Sequence, residues 1–248
     1  MRRFFTEPQN INGDEIAIFE DMRHIQKVLR MNCGDQILVF DGSGWEYIAT
    51  LTKMEKSICR AQVVEKRLSL SEPKTHITLF QGLPKSDKME QIIQKAVELG
   101  VSEVVPVIME RCVSRINDKK AGEEKALRWN KISVEAAKQC GRGKIPKVSA
   151  PIAFKDAVSA LKDMELSVMP YEELGHEGEL GLKALLDKNN EALKIGIIVG
   201  PEGGFSEEEA AFAIENGINA VGLGKRILRT ETVASALIPV IMFYKGEF

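Results

Sequence analysis

Residues 195–209, "IGIIVGPEGGFSEEE", decide how the chain is to be read. A run of β-formers empties into Gly200-Pro201-Glu202-Gly203-Gly204, and Ser206 with Glu209 has the spacing of a capping box that opens an acidic helix. Strand, glycine loop and helix start are the layout with which α/β proteins cradle phosphates. This loop nevertheless lacks a lysine followed by Ser or Thr, and its glycines miss the dinucleotide spacing. A phosphate-binding NTPase is therefore disfavoured, and the loop is expected to hold a different ligand.

Outward from this stretch, everything beyond about residue 73 alternates strand and helix. "HITLFQGL" reads as a strand, and the helix "SDKMEQIIQKAVELG" follows it, with Met89, Ile92, Ile93, Ala96 and Val97 as its apolar stripe. Asp87 and Glu90 have capping-box spacing, and Gly100 supplies a stop. "VSEVVPVIM", "LSVMP", "KIGIIVG" and "NAVGLG" are further strands; helices are expected over about 123–140, around 179–189 and in "SEEEAAFAIENG". This alternation predicts an α/β fold with a parallel sheet covered on both faces. The last helix is apolar nearly all round from Val233 to Tyr244 and contains Pro239, so burial in the core or against a second subunit is expected, with a possible kink.

Residues 1–72 follow a different pattern. "DEIAIFE" and "DQILVFDGSGWEYIATLTKME" alternate apolar and polar residues as half-buried strands do, with Asp41-Gly42-Ser43-Gly44 as a hairpin turn. "DMRHIQKVLRM" interrupts them as a short helix, with Asp21 as cap and Ile25, Val28 and Leu29 as its apolar face. Glu72-Pro73 is the expected boundary between domains 1–72 and 73–248.

Composition excludes several classes. No run of about 18 apolar residues exists to span a membrane. The start, "MRRFFTEPQN", has no apolar stretch of the kind a secretory signal carries. Four scattered cysteines without a CxxC pair and three distant histidines argue against disulfides and a metal site, and point to a reducing, cytoplasmic setting. Net charge is −2, which argues against nonspecific coating of nucleic acid, although residues 110–147 hold eleven Lys/Arg against five Asp/Glu.

Ligands of open α/β sheets collect at the carboxyl ends of strands. Three loops there share this chain's glycines: "MPYEELG", "GPEGGFSEEE" and "LGKRILRTETVAS". Taken singly, each is equally an ordinary turn with glycine as punctuation. The third also packs Arg226, Arg229 and Glu231 around a strand-to-helix turn; Thr230 or Thr232 can cap the last helix, which leaves the two arginines and the glutamate unexplained.

"GPEGGFSEEE" followed by "LGKRILRTETVA" resembles the paired C-terminal signature of SPOUT-class methyltransferases, and more closely the bacterial ribosomal RNA small subunit methyltransferase E family. Agreement runs the length of the chain through "RRFF", "HIQKVLRMNCGDQILVFDG", "QGLPKSDKMEQIIQKAVELGV", "ERCVSR" and "WNKISVEAAKQCGR". The resemblance implies a homodimer of chains with a small PUA-like β-barrel before a methyltransferase domain carrying a deep C-terminal trefoil knot. It implies S-adenosylmethionine as cofactor, no metal, and methylation of N3 of a uridine in the decoding region of 16S ribosomal RNA within the assembled small subunit. The loops alone do not decide between N3, a ribose 2′-oxygen or another base, and an RNA-binding assembly factor without catalysis is the rival from another class.

The same resemblance distributes roles. By position, Arg229 and Glu231 are the expected catalytic residues: a permanent cation stabilises the uridine anion, while the carboxylate orients Arg229 or accepts the N3 proton. As the cofactor's walls it implies Met169, Tyr171, Gly200, Pro201, Glu202, Gly203, Leu223, Gly224, Leu228, Thr230 and Thr232. For the chemistry, Tyr171 and Glu172 are weaker candidates, because aromatic–acid pairs at strand ends are common. Arg2, Arg3, Arg23, Arg30, Lys85, Arg111, Arg115 and Arg142 are the expected phosphate contacts, which position RNA without specifying sequence.

Overall fold

The computed structural model describes residues 1–114, 116, 118–171 and 181–248, so Arg115 and Glu172 lie outside the described residues. Two compact units form, Met1–Glu72 with Ala137–Ile145, and Pro73–Ala136 with Pro146–Phe248.

In the first unit, β1 (Arg2–Phe5), β2 (Ile11–Asn12), β3 (Glu15–Ile18), β4 (Gln36–Phe40), β5 (Trp45–Met54) and β6 (Cys59–Leu68) make one sheet in the order β1-β4-β5-β6-β3-β2. Only β1 and β4 run parallel. The hairpin at Asp41-Gly42-Ser43-Gly44 forms between β4 and β5, with the Asp41 carboxylate accepting the Ser43 N–H at 2.8 Å and the Tyr47 hydroxyl at 3.1 Å. The sheet curls far enough for the Thr6 hydroxyl, just past β1, to donate to the Ala17 carbonyl in β3 at 2.6 Å. Inside lie Phe4, Ile16, Ile18, Ile25, Ile37, Val39 and Leu51.

The short helix there differs from expectation. His24–Val28 is a single π-turn closed by the Leu29 N–H on the His24 carbonyl. The wider winding keeps Ile25 buried but swings Val28 out to 66% exposure, so it leaves the apolar face. Asp21 does not cap this turn with its side chain; its carboxylate pairs with Lys138 at 3.0 Å instead. That pair belongs to the reason 137–145 joins the first unit. Arg142, 4% exposed, donates to Glu72 at 2.8 Å, and Arg3 donates to the Arg142 carbonyl at 2.6 Å.

The second unit is built on β7 (His76–Gly82), β8 (Glu103–Ile108), β9 (Lys147–Val148), β10 (Ile152–Ala153), β11 (Leu166–Pro170), β12 (Lys194–Val199) and β13 (Asn219–Val221). The order is β10-β8-β7-β12-β11-β13, with β9 alongside β8 and every ladder parallel. Its helices are α1 (Lys88–Glu98), α2 (Lys119–Cys140, whose last residues join the first unit), α3 (Phe154–Lys162), α4 (Leu182–Lys188), α5 (Glu207–Glu215) and α6 (Thr230–Tyr244). β7 and β12 are buried from their second residue onward, as a parallel sheet covered on both faces requires. Gly196 admits α3, because a Cβ there would meet Leu161 at 2.4 Å.

All five stripe residues of α1 are buried. The capping box expected at Asp87 and Glu90 does not form: Asp87 makes no side-chain cap bond, and Glu90 pairs with Arg128 of α2. The box at Ser206 and Glu209 does form. α6 packs on α1 and β12 with Pro239 inside it, leaving Val240 48% and Phe243 75% exposed.

Candidate active site

Parallel strands bring their carboxyl ends to one edge, so the loops after β7, β12, β11 and β13 leave the sheet side by side. In the loop after β12 the Gly204 N–H closes a turn on the Pro201 carbonyl at 3.0 Å, and Gly204 takes φ +68. The glycines answer to close packing. A Cβ on Gly200 would lie 3.0 Å from Gly204, one on Gly203 3.0 Å from Arg111 Cβ, and one on Gly82 2.7 Å from both N and Cδ of Pro201. Arg111 additionally donates to the Gly203 carbonyl at 3.1 Å.

Beneath this turn is a buried polar knot of contacts that sequence patterns do not reveal. Gln81, fully buried at the end of β7, donates to the Thr230 hydroxyl at 2.9 Å and the Gly82 carbonyl at 3.0 Å. Thr230 in turn donates to the Gly200 carbonyl at 2.7 Å. One amide thus joins the ends of β7 and β12 to the start of α6. The Gln81 Oε1 atom is buried with no hydrogen-bond partner. Thr230 therefore does not cap α6, and neither does Thr232; the cap position is Arg229, in extended backbone, whose carbonyl accepts the Thr232 N–H at 2.8 Å.

Over the same place lies a charged cluster. Lys88, the first residue of α1, pairs with Glu202 at 3.2 Å and with Glu231 at 3.2 Å. The Glu202 carboxylate also accepts the Lys85 N–H at 3.1 Å. Burial raises the Glu202 carboxyl, but its own N–H, that of Lys85 and the Lys88 cation outweigh it and leave it below the usual range. Glu231 is lowered first by its own N–H, then, against some burial, by Lys88 and Arg229. The hydrogen bonds to Glu231 and Glu202 raise Lys88. Arg229 is exposed, and among the described residues it forms no ion pair.

The expected cofactor walls divide accordingly. Gly200, Pro201, Glu202 and Gly203 form the turn; Leu223 and Leu228 are half-buried, and Gly224, at φ +93, has open space where a Cβ would stand. Tyr171 bonds through its N–H to the Val221 carbonyl at 3.0 Å and sets its ring edge-on to Phe205. The Met169 side chain is fully buried in the core, so only its main chain can meet a ligand. Thr232 is exposed.

The expected phosphate contacts also divide. Arg2, Arg23, Arg30, Lys85 and Arg111 are exposed. Arg3 and Arg142 are corrections: Arg3 pairs with Glu46 at 2.6 Å and stacks over Phe40, and Arg142 is committed to Glu72, so both guanidinium groups hold the first unit together. Among the described residues no cluster of three or more His, Cys, Asp or Glu can hold a metal, and no helix is long and apolar enough to cross a membrane.

Residues 71–242 match the RNA methyltransferase domain family and residues 20–64 the RNA methyltransferase PUA domain family, which defines the class. A ribosomal RNA small subunit methyltransferase E of Bacillus subtilis is 35% identical over 98% of this chain and 96% of its own. That of Aquifex aeolicus is 31% identical over 98% and 99%. The Neisseria gonorrhoeae enzyme of this name, solved with S-adenosyl methionine bound, superposes with a TM-score of 0.82 at 34% identity, covering 98% of this chain and 97% of that one. The chain belongs to the ribosomal RNA small subunit methyltransferase E family.

Proposed function

We propose that this protein methylates N3 of a specific uridine in the decoding region of 16S ribosomal RNA, in the assembled small subunit in the bacterial cytoplasm, using S-adenosylmethionine. The observation that carries the reading is the convergence of the glycine turn 200–204 with the Arg229 loop at the carboxyl edge of one parallel sheet. The site fits the cofactor on its own terms: Gly204 and Gly224 expose bare main chain to open space, and a buried acceptor, Gln81 Oε1, stands without a donor.

The cofactor supplies an electrophilic methyl group on a sulfonium, so no metal is needed. The chain's own residues must position N3 against that methyl carbon and favour the base after its N3 proton leaves. Arg229, exposed and without an ion pair among the described residues, supplies a permanent cation for the uridine anion. Glu231, paired with Lys88 and held below the usual carboxylate range, is a poor proton acceptor. Among the described residues it pairs with Lys88 and not with Arg229, so the reading keeps neither the proton-accepting nor the orienting role for it.

Three finer features belong to the same reading. A C-terminal trefoil knot is supported by the strand order β12-β11-β13, after which α6 returns against β12 and α1. A homodimer is supported by the exposed Val240 and Phe243 on α6. A barrel-like PUA unit over residues 1–72 that contributes Arg2, Arg23 and Arg30 to RNA, joined by Lys85 and Arg111, is supported by their exposure.

Deleting the gene and analysing nucleosides of 16S RNA by mass spectrometry tests the reading. N3-methyluridine is expected to disappear, to return with the wild-type gene and to stay absent with Arg229→Ala. Intact N3-methyluridine in the deletion strain would end the proposal, and loss of a 2′-O-methyl group instead would redirect it.

A further inference from the structure

Lys88 occupies an unfavourable place. A cation at the first position of α1 opposes the helix dipole, which favours negative charge there. Ser86, two residues before it, takes φ +54, a left-handed conformation that a serine seldom adopts. The neighbouring Lys85 N–H is spent on the Glu202 carboxylate. The loop from β7 to α1 is thus bent to deliver one ammonium between two carboxylates from distant segments, the glycine turn and the start of α6.

Charge accounting shows what this achieves. Two carboxylates at this edge, Glu202 and Glu231, share the Lys88 cation, and Arg229 is a further cation beside Glu231. Lys88 holds both carboxylates at 3.2 Å, and Arg229 forms no ion pair among the described residues. Arg229 and Glu231 are two residues apart, and the Arg229 charge already acts on the Glu231 carboxyl. Without Lys88, Arg229 is the cation already acting on Glu231 to which its carboxylate can turn. A guanidinium bound to a carboxylate has far less field to offer a developing anion.

We infer that Lys88 is a positioning residue for methyl transfer: by engaging Glu202 and Glu231 together, it keeps Arg229 unpaired for the substrate's anionic base. The inference deepens the proposed function and rests on it. The Lys88 ammonium is engaged by the two carboxylates, so its effect passes through Arg229.

The experiment measures single-turnover methylation of small subunits from the deletion strain across pH, with S-adenosylmethionine affinity by calorimetry on the same proteins. Lys88→Met is expected to lower the rate roughly tenfold at neutral pH, less than the hundredfold or more that deleting an electrostatic donor costs. The rate should recover as pH rises, because hydroxide removes the N3 proton that Arg229 no longer helps to release. Lys88→Met/Glu231→Gln should regain most of the lost rate, since the competing carboxylate is gone, and Lys88→Arg should keep most of it. A double variant as slow as Lys88→Met, or a Lys88→Met rate within twofold of wild type, overturns the inference. A merely structural lysine would slow the reaction alike at every pH, so a Lys88→Met rate that does not recover as pH rises also overturns the inference. Wild-type protein that binds no S-adenosylmethionine, or methylates no subunit, would instead sink the proposed function.

Discussion

Thr230→Val isolates the buried tie beneath the glycine turn. Valine keeps the volume of a residue that is 5% exposed, so the change removes a hydroxyl and little else. Two bonds go with it: the 2.7 Å donation to the Gly200 carbonyl, and the 2.9 Å acceptance from Gln81. The Gln81 amide keeps the Gly82 carbonyl at 3.0 Å, but the Gly200 carbonyl retains only a 3.5 Å contact with Gln81. A buried group left without its partner costs about 1–3 kcal/mol and an ordinary bond about 1 kcal/mol, so the loss should be about 2–3 kcal/mol. For a unit of this size that lowers the melting midpoint by roughly 4–12 °C. The chain has two tryptophans, Trp45 in the first unit and a 5%-exposed Trp129 in the second, so a Trp45→Phe background makes fluorescence report the second unit alone. Urea unfolding in that background gives the difference directly, with Thr232→Val, at an exposed position, as a control expected within about 0.5 kcal/mol. A Thr230→Val loss no larger than that control would refute the tie.

Gly82→Ala should weaken S-adenosylmethionine binding about tenfold by calorimetry, because its Cβ would sit 2.7 Å from Pro201 main chain and displace the turn; a constant within twofold of wild type contradicts the packing role. Arg142→Met strands the Glu72 carboxylate and should cost the first unit about 3 kcal/mol, read through Trp45 in urea. Burial and the Asp41 charge push the Tyr47 phenol up to about 12 from 10.0. A raised folded-state value means this stability is present below pH 10.0 and is lost as pH rises towards about 12, so Tyr47→Phe should flatten the alkaline decline of the first unit over that window.

What the sequence revealed follows the range of its signals. Periods of two and 3.6 residues are local, so the buried stripe of α1, the β4–β5 hairpin and the Ser206–Glu209 box can be read directly. The failures have equally local form. Asp87 and Glu90 have the right spacing, but Glu90 finds Arg128; Asp21 has the right place, but finds Lys138. Spacing proposes a bond, and tertiary competition decides whether it forms. The tie from Gln81 to Thr230 spans 149 residues and that from Lys88 to Glu231 spans 143, with no periodicity to announce either. The same blindness placed Arg3 and Arg142 among the phosphate contacts, because nothing near them in the chain shows the carboxylates that bury them.

The phosphate-like layout of 195–209 shows how such a motif can be emptied of its usual meaning. An anion at a helix start needs free N–H groups and a positive field. At α5 the Ser206 hydroxyl accepts the Glu209 N–H at 3.3 Å, and the Glu209 carboxylate accepts the Ser206 N–H at 3.1 Å. The other Glu209 oxygen accepts the Glu110 N–H at 2.8 Å, so the helix start carries its own anion, 9% exposed and fully engaged. Glu207 and Glu208 add two more negative charges to the first turn, and Glu202 stands in the turn before it. A phosphate would meet repulsion where a nucleotide-binding loop offers attraction. A cation meets the reverse, and a ligand that arrives as a sulfonium and leaves without that charge suits this field at the moment of binding. Under the proposed function, the acidic helix would favour a sulfonium by sign of charge where the glycines make room for it by shape.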